Sequence, residues 1–354
     1  LTIFSFFISE CSDRIGSDFA NVRQPSEMAS PFPQSTATAG GGSIVAGPLP
    51  SGGTGLEIMQ YQYPLKLISP SASSDQSSVL VFLLSYGGGL VGGDSVDLSV
   101  KVKNGSKLSL VTQGHTKVFK SPSPSVLTSQ VMRVEVEPGA AMCLLPDPVQ
   151  PFEGSVYSQT QIFNTRPSSS LCLLDWVTQG RTARGENWSF VQWTGRNEVW
   201  LQDDAGKGRL LVRDKVILAG DGGSSSDGPL REIMHENGIF GTLILRGDLM
   251  KSLGDFFLTE FAALPRLGSR DFRTAEARKA EDDSMTEHEK WRSWRIDLET
   301  VEGVLWSAAN VRGCVVVKFA ATAVEAGREW IGSMLLREGS IEDTFGEDAL
   351  MCVR

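Results

Sequence analysis

Gly87, Gly89 and Gly92 in the stretch Ser85-Tyr-Gly-Gly-Gly-Leu-Val-Gly-Gly-Asp94 stand on the G-x-G-x-x-G spacing of a dinucleotide-binding turn. That chemistry requires a helix to open directly after the glycines, so that its amide groups meet the pyrophosphate. Instead Val96, Leu98, Val100 and Val102 alternate with Ser95, Asp97, Ser99 and Lys101, which is the period of a strand. The glycines are therefore read as a corner where one strand turns into the next. No G-x-x-x-x-G-K-[ST] run offers a phosphate loop elsewhere.

Paired carboxylates are the second candidate. Asp147 and Glu153 in PDPVQPFEG, or Asp175 and Glu186 in DWVTQGRTARGE, are residue types suited to the acid and base of a glycosidase. Trp188, Trp193 and Trp200, placed around one expected hairpin, would then supply a sugar platform. Against this stand the commoner roles of such groups, as turn carboxylates, internal ion pairs and core aromatics; Arg181 and Arg184 lie beside the second pair. His115 in TQGHTKVFK is a lone histidine near an expected strand end, and no G-x-S-x-G provides a nucleophile for it to activate. A carbohydrate-binding or glycoside-processing β protein remains the alternative reading.

Metal-ligand spacing is absent from the sequence. The three histidines, His115, His235 and His288, are far apart, and the five cysteines form no C-x-x-C pair. Cysteines inside apolar runs such as MCLLP and LCLLDW are expected to be reduced, buried thiols in a cytoplasmic protein. A net charge of −9 argues against nucleic acid as a partner, since such binders present a basic face. No apolar run reaches the ~20 residues that a membrane span needs, so no membrane role is expected.

The elements that must position these groups read mostly as strands. SVLVFLLSY is a continuous apolar run of strand length and suits a strand buried on both faces. Asn104-Gly105 between alternating runs predicts a hairpin, because the mirror-image turn it favours needs positive φ at both central positions. QVMRVEVE with AAMCLLP, SVYSQTQIF with SLCLLDW, and NWSFVQW with EVWLQD across TGRN are read as further hairpins. Helical spacing appears late, in DLMKSLGDFFLTEFAAL and in TAVEAGREWIGSMLL. The charged segment 270–292 is a solvated helix or an insertion, and residues 220–229 form a loop without core residues. The expected fold is mainly β: a layered, β-helix-like or sandwich-like arrangement of many short strands, with about two helices towards the C-terminal half.

Four segments in order, GGGLVGGD (87–94), TQGHTKVFK (112–120), LPDPVQPF (145–152) and DWVTQGRTARGENW (175–188), with YQYPLKL ahead of them, resemble the urease accessory protein D family. The similarity spans residues 43–340, with 1–42 as a disordered N-terminal extension and 341–354 as a C-terminal tail. The resemblance implies a non-enzymatic scaffold that binds apo-urease together with accessory protein F and the GTPase accessory protein G. It also implies that nickel passes through an internal tunnel, as a transient cargo with no permanently bound cofactor. A conduit must release Ni(II), so carboxylates, carbonyls and water suit it better than a trapping cluster of Cys and His. Asp94, His115, Asp147, Glu153, Asp175 and Glu186 are the polar groups in the family-like segments that would line it. The helix near 322–336 either docks accessory protein F or covers its own sheet.

Overall fold

The computed structural model describes residues 38–50, 52–70, 77–203, 206–219, 230–265 and 285–354. The extension up to residue 37, the 220–229 loop and residues 270–284 of the charged segment lie outside the described residues.

β1 (Gly41–Pro48) and β2 (Thr54–Tyr61) pair antiparallel, and β3 (Leu65–Ile68) pairs antiparallel with β4 (Val79–Ser85). From β4 the chain winds back and forth between two sheets. β5 (Ser95–Val102) lies opposite β4, and β6 (Lys107–Val111) returns to the sheet of β4. After a short β7 (Thr116–Val118), β8 (Thr128–Val136) joins β5, and β9 (Ala141–Leu144) joins β6. A short β10 (Val149–Pro151) precedes β11 (Val156–Thr165), β12 (Ser170–Thr178) and β13 (Gln192–Gln202), which continue the alternation. Within each sheet these winding strands pair parallel, β4-β6-β9-β12 on one side and β1-β5-β8-β11-β13 on the other. β14 (Gly208–Ala219) then closes the second sheet against β13. β15 (Ile239–Arg246), β16 (Leu305–Val311) and β17 (Cys314–Ala321) extend the first antiparallel, in the order β12-β15-β17-β16. The mainly β, layered architecture expected from the sequence is the one observed, β-helix-like in its winding and sandwich-like in its two facing sheets.

The expected hairpins are corrected. Gly105 has the positive φ, 71°, that its turn needs, but β5 and β6 belong to different sheets. The turn therefore carries the chain from one sheet to the other. β8 and β9, and β11 and β12, are likewise separated into opposite sheets. Thr194-Gly-Arg-Asn197 is no turn at all but the middle of β13. A two-residue turn fixes only the local reversal of the chain; which strands hydrogen-bond is decided by what their apolar faces bury. Here Val96, Leu98 and Val100 of β5 meet Leu108 and Leu110 of β6 in the interior between the sheets.

The glycine corner behaves as read. Only a single 3-10 turn, Tyr86–Gly88, precedes β5. A Cβ on Gly89 would stand 2.8 Å from the Lys117 carbonyl oxygen, and one on Gly92 2.6 Å from Pro122 Cδ. Close approach explains Gly89 and Gly92, and left-handed φ explains Gly87 (72°), Gly88 (75°) and Gly93 (94°); no helix opens after them.

Period-two alternation divides the buried strand β12 between two cores. Leu171, Leu173 and Val177 face the interior between the sheets, whereas Cys172, Leu174 and Trp176 face a second core under the helices. Among the described residues that third layer comprises α2 (Lys251–Ala262), α3 (Glu287–Val301), α4 (Val324–Glu338) and α5 (Ser340–Phe345), whereas the short α1 (Leu230–Ile233) puts Leu230 into the core between the sheets. α2 and α4 supply Leu253, Phe257, Trp330, Ile331, Met334 and Leu335 to this core. The apolar face of α4 thus covers its own sheet. Residues 341–354, set apart as a tail in the sequence, contribute Ile341, Phe345, Leu350 and Val353 to the same core.

Candidate functional site

β12 is the strand on which the site rests. The alternation that buries Leu173 and Val177 between the sheets also directs Asp175 into that interior, where it is 7% exposed. Facing it, β11 presents Tyr157, Gln159, Gln161 and Phe163, all buried and in one phase. Gln159 Nε2 donates to Asp175 Oδ1 at 2.9 Å, and Asn197 Nδ2 of β13 donates to Oδ2 at 2.7 Å. Tyr157 Oη donates to Gln159 Oε1 at 3.2 Å, and Gln161 Nε2 to Asn197 Oδ1 at 3.0 Å. Both carboxylate oxygens are therefore paired, as burial demands. Burial still raises Asp175 to a pKa of about 6; the Asn197 and Gln159 donors oppose this and the nearby Asp214 carboxylate adds to it.

The polar row continues towards the antiparallel end of the sandwich. Thr242 of β15 is in register with Asp175 and with Lys318 of β17, and Asn197 is in register with Asp214 of β14. Thr242 Oγ1 donates to Asp214 Oδ2 at 2.9 Å, and Lys318 Nζ to Asp214 Oδ1 at 2.6 Å. Lys318 is part-exposed, so the row reaches from the interior to solvent.

In the other direction lies Asp147. It and Asp175 line one small cavity of about 30 Å³ between the sheets, shared with Thr112, Gln130, Gln159 and Gln161. That is room for a water molecule among several polar partners. Asp147 Oδ2 accepts from Thr112 Oγ1 at 3.1 Å and from the Gly114 amide at 2.9 Å, while Arg328 of α4 donates to Oδ1 at 2.8 Å. His115 is half-buried beside this group; burial lowers its pKa, Asp147 acting against that and Arg328 with it. Cys352, contributed by the C-terminal segment, donates to the Thr112 carbonyl at 3.3 Å, and burial pushes its thiol up to about 12.

The remaining sequence candidates stand apart from this row. Asp94 Oδ2 accepts from the Val91 amide at 2.7 Å and closes the glycine corner. Glu153 is exposed. Glu186 is buried, but its oxygens take the Arg181 amide and Nε at 2.8 Å each, with Arg181 Nη2 and the Glu153 amide as further donors. The two carboxylate pairs suggested by sequence are thus not formed: Asp147 shares a cavity with Asp175, whereas Glu186 is taken by its sequence neighbour Arg181. Trp188 and Trp193 are buried, and Trp200 Nε1 donates to Glu198 at 2.9 Å. They form no exposed sugar platform. Among the described residues no group of three or more His, Cys, Asp or Glu could hold a metal ion.

Gln130, Gln159, Gln161, Asn197, Asp214, Thr242 and Lys318 were not singled out in the sequence, where attention fell on ionisable groups near turns. The available signal was phase. In VYSQTQIF, Tyr157 and the Phe six residues on mark the inward face, and both glutamines fall on it.

Comparison with known proteins matches most of the chain to one family. Residues 44–349 match the profile of the UreD urease accessory protein family. The chain belongs to that family. It is 33% identical over 271 residues to an uncharacterized urease accessory protein ureD-like of Schizosaccharomyces pombe, covering 76% of this chain and 84% of that protein. It is 36% identical over 196 residues to urease accessory protein D of Oryza sativa subsp. indica, which covers 55% of this chain and 61% of the rice protein. Urease accessory protein UreD of Sorangium cellulosum is 34% identical over 220 residues, covering 62% and 65% of the two chains. The UreD match takes in all four motif segments and runs into the C-terminal segment that supplies the second core. Among the described residues no helix is long and apolar enough to cross a membrane.

Proposed function

We propose that this chain is a non-enzymatic scaffold in urease maturation, working with accessory proteins F and G on apo-urease in the cytoplasm, and that nickel is its transient cargo. Family membership supports the accessory role. The observation that carries the nickel reading is the cavity that joins Asp147 to Asp175, continued by a polar row, inside a mainly apolar core. Carboxylates, amide oxygens and hydroxyls are hard oxygen donors, and a string of them binds Ni(II) weakly enough to pass it on. Asp175, with a pKa near 6, also exchanges its proton close to neutral pH, which suits a carboxylate that alternates between free and cation-bound states.

The test is co-expression with a urease operon whose own D protein is deleted, reading nickel per purified urease. Asp147→Asn and Asp175→Asn together are expected to lower nickel content severalfold while the complex with F and G still co-purifies. Wild-type nickel loading in the double variant would remove these carboxylates from the conduit, and loss of co-purification would assign them to the scaffold instead.

A further inference from the structure

A second cavity, of about 320 Å³, lies where β15 ends and α2 begins, away from the polar row. Arg246, the last residue of β15, lines it and is only 8% exposed. Its Nη1 donates to the carbonyl and hydroxyl oxygens of Ser169 at 2.9 and 3.4 Å. Among the described residues those are its hydrogen-bond partners, and it forms no ion pair. A guanidinium carries five N–H donors and stays charged at neutral pH, so Nε and Nη2 are left without a protein acceptor.

Three more cations line the same cavity: Arg209 of β14, Lys251 at the start of α2, and Arg312. None is ion-paired among the described residues, and they are opposed by only two carboxylates, Asp248 and Asp255. Arg312 occupies an unusual place. With Gly313 it forms the two-residue turn between β16 and β17, at φ of 52° and 83°. Asparagine or aspartate fits the first position of such a turn far better. Arg312 Nη1 is fixed by the Leu210 carbonyl at 3.0 Å, which ties the turn to β14 at the cavity rim.

We propose that this cavity binds a phosphate group, either as inorganic phosphate or as a small hydroxylated phosphomonoester. Arg246 supplies a buried fork for two phosphate oxygens, and Arg209, Lys251 and Arg312 supply charge at the rim. Asp248 and Asp255 offer acceptors for hydroxyl groups beside the anion.

Calorimetric titration of the full chain at low salt, with inorganic phosphate and separately with glycerol 3-phosphate, tests the proposal without involving urease. Saturable single-site binding of either probe is expected, and the tighter probe identifies the source. Arg246→Gln should weaken binding about tenfold or more, the worth of a charged hydrogen-bonding group. Because Arg246 is buried, Arg312→Asn is the companion variant: it suits the turn, so Tm should hold or rise while affinity falls severalfold. Absence of saturable binding below about 10 mM, or wild-type affinity in a folded Arg246→Gln or in Arg312→Asn combined with Arg209→Gln, overturns it.

Discussion

Asp175 is a carboxylate whose burial outweighs its two amide donors, and the consequence is a stability that falls as pH rises. Its pKa is about 6 in the folded chain against 3.8 for the free group. Between those values the folded state holds a proton that the unfolded chain has released, so stability declines from about pH 4 to pH 6 and is level above. At about 1.4 kcal/mol per unit the ionised form costs on the order of 2–3 kcal/mol at neutral pH. Asp175→Asn should therefore gain on the wild type in urea midpoint as pH is raised from 4 to 7. A difference between the two proteins that does not change with pH would mean that Asp175 does not titrate in this range. Glu186 has the opposite sign: burial raises its pKa but the Arg181 donors outweigh it, leaving it lowered. Its stabilisation is full above the unfolded value near 4.5 and is lost as pH falls through the lower folded value. Arg181→Ala strands a buried carboxylate and is expected to cost about 2–4 kcal/mol, the part-exposure of Arg181 keeping it below the largest values for buried pairs. An unchanged unfolding midpoint at pH 7 would contradict that. The sequence made Asp147, Asp175 and Glu186 conspicuous as carboxylates near expected turns and inside the family-like segments. It could not show that two of them share a cavity, since that depends on which strands lie opposite each other.

α4 illustrates what elements disclose and what they conceal. Its position and apolar face were legible from helical spacing, and its C-terminal cap agrees: the chain leaves it at Gly339, which has a left-handed φ of 87°. What covers that face was not legible, because Trp330, Ile331 and Met334 meet β17 and the C-terminal segment only in the folded chain. The hairpin readings failed for the same reason. Asn104-Gly105 encodes a reversal, and parallel pairing with β8 and β1 is chosen by residues far away in sequence. Gly332 marks how close α4 sits to residues 350–354: a Cβ there would fall 2.0 Å from the Val353 carbonyl oxygen. Gly332→Ala is therefore predicted to destabilise by about 1–3 kcal/mol, as overpacking against backbone does. It should also loosen residues 350–354, read as faster limited proteolysis within that stretch. An alanine variant as stable and as resistant as the wild type would show that the two segments are not in contact.

For the molecule as a whole, the C-terminal segment decides how experiments on truncated chains are to be interpreted. Ile341, Phe345, Leu350 and Val353 are each 2% exposed or less and belong to the core shared by β12, β15, β17 and α4. Burying one such side chain is worth about 1.5–3 kcal/mol, so a chain ending at Gly339 loses on the order of 6–12 kcal/mol. That equals the whole stability of an ordinary domain, about 5–15 kcal/mol. The segment also carries Cys352, which lies against Thr112 beside Asp147, and Lys107 Nζ donates to the Thr344 carbonyl at 3.0 Å. The helical layer and the polar end of the sandwich thus lose support together. A chain truncated after Gly339 is expected to be recovered mainly as aggregate, or to lack a cooperative thermal transition, with no partner present. Failure of such a chain to bind accessory protein F would then report unfolding, not a lost docking surface. Should the truncated chain instead melt cooperatively within a few degrees of the full one, the segment is dispensable to the core, and its loss becomes a clean test of partner binding.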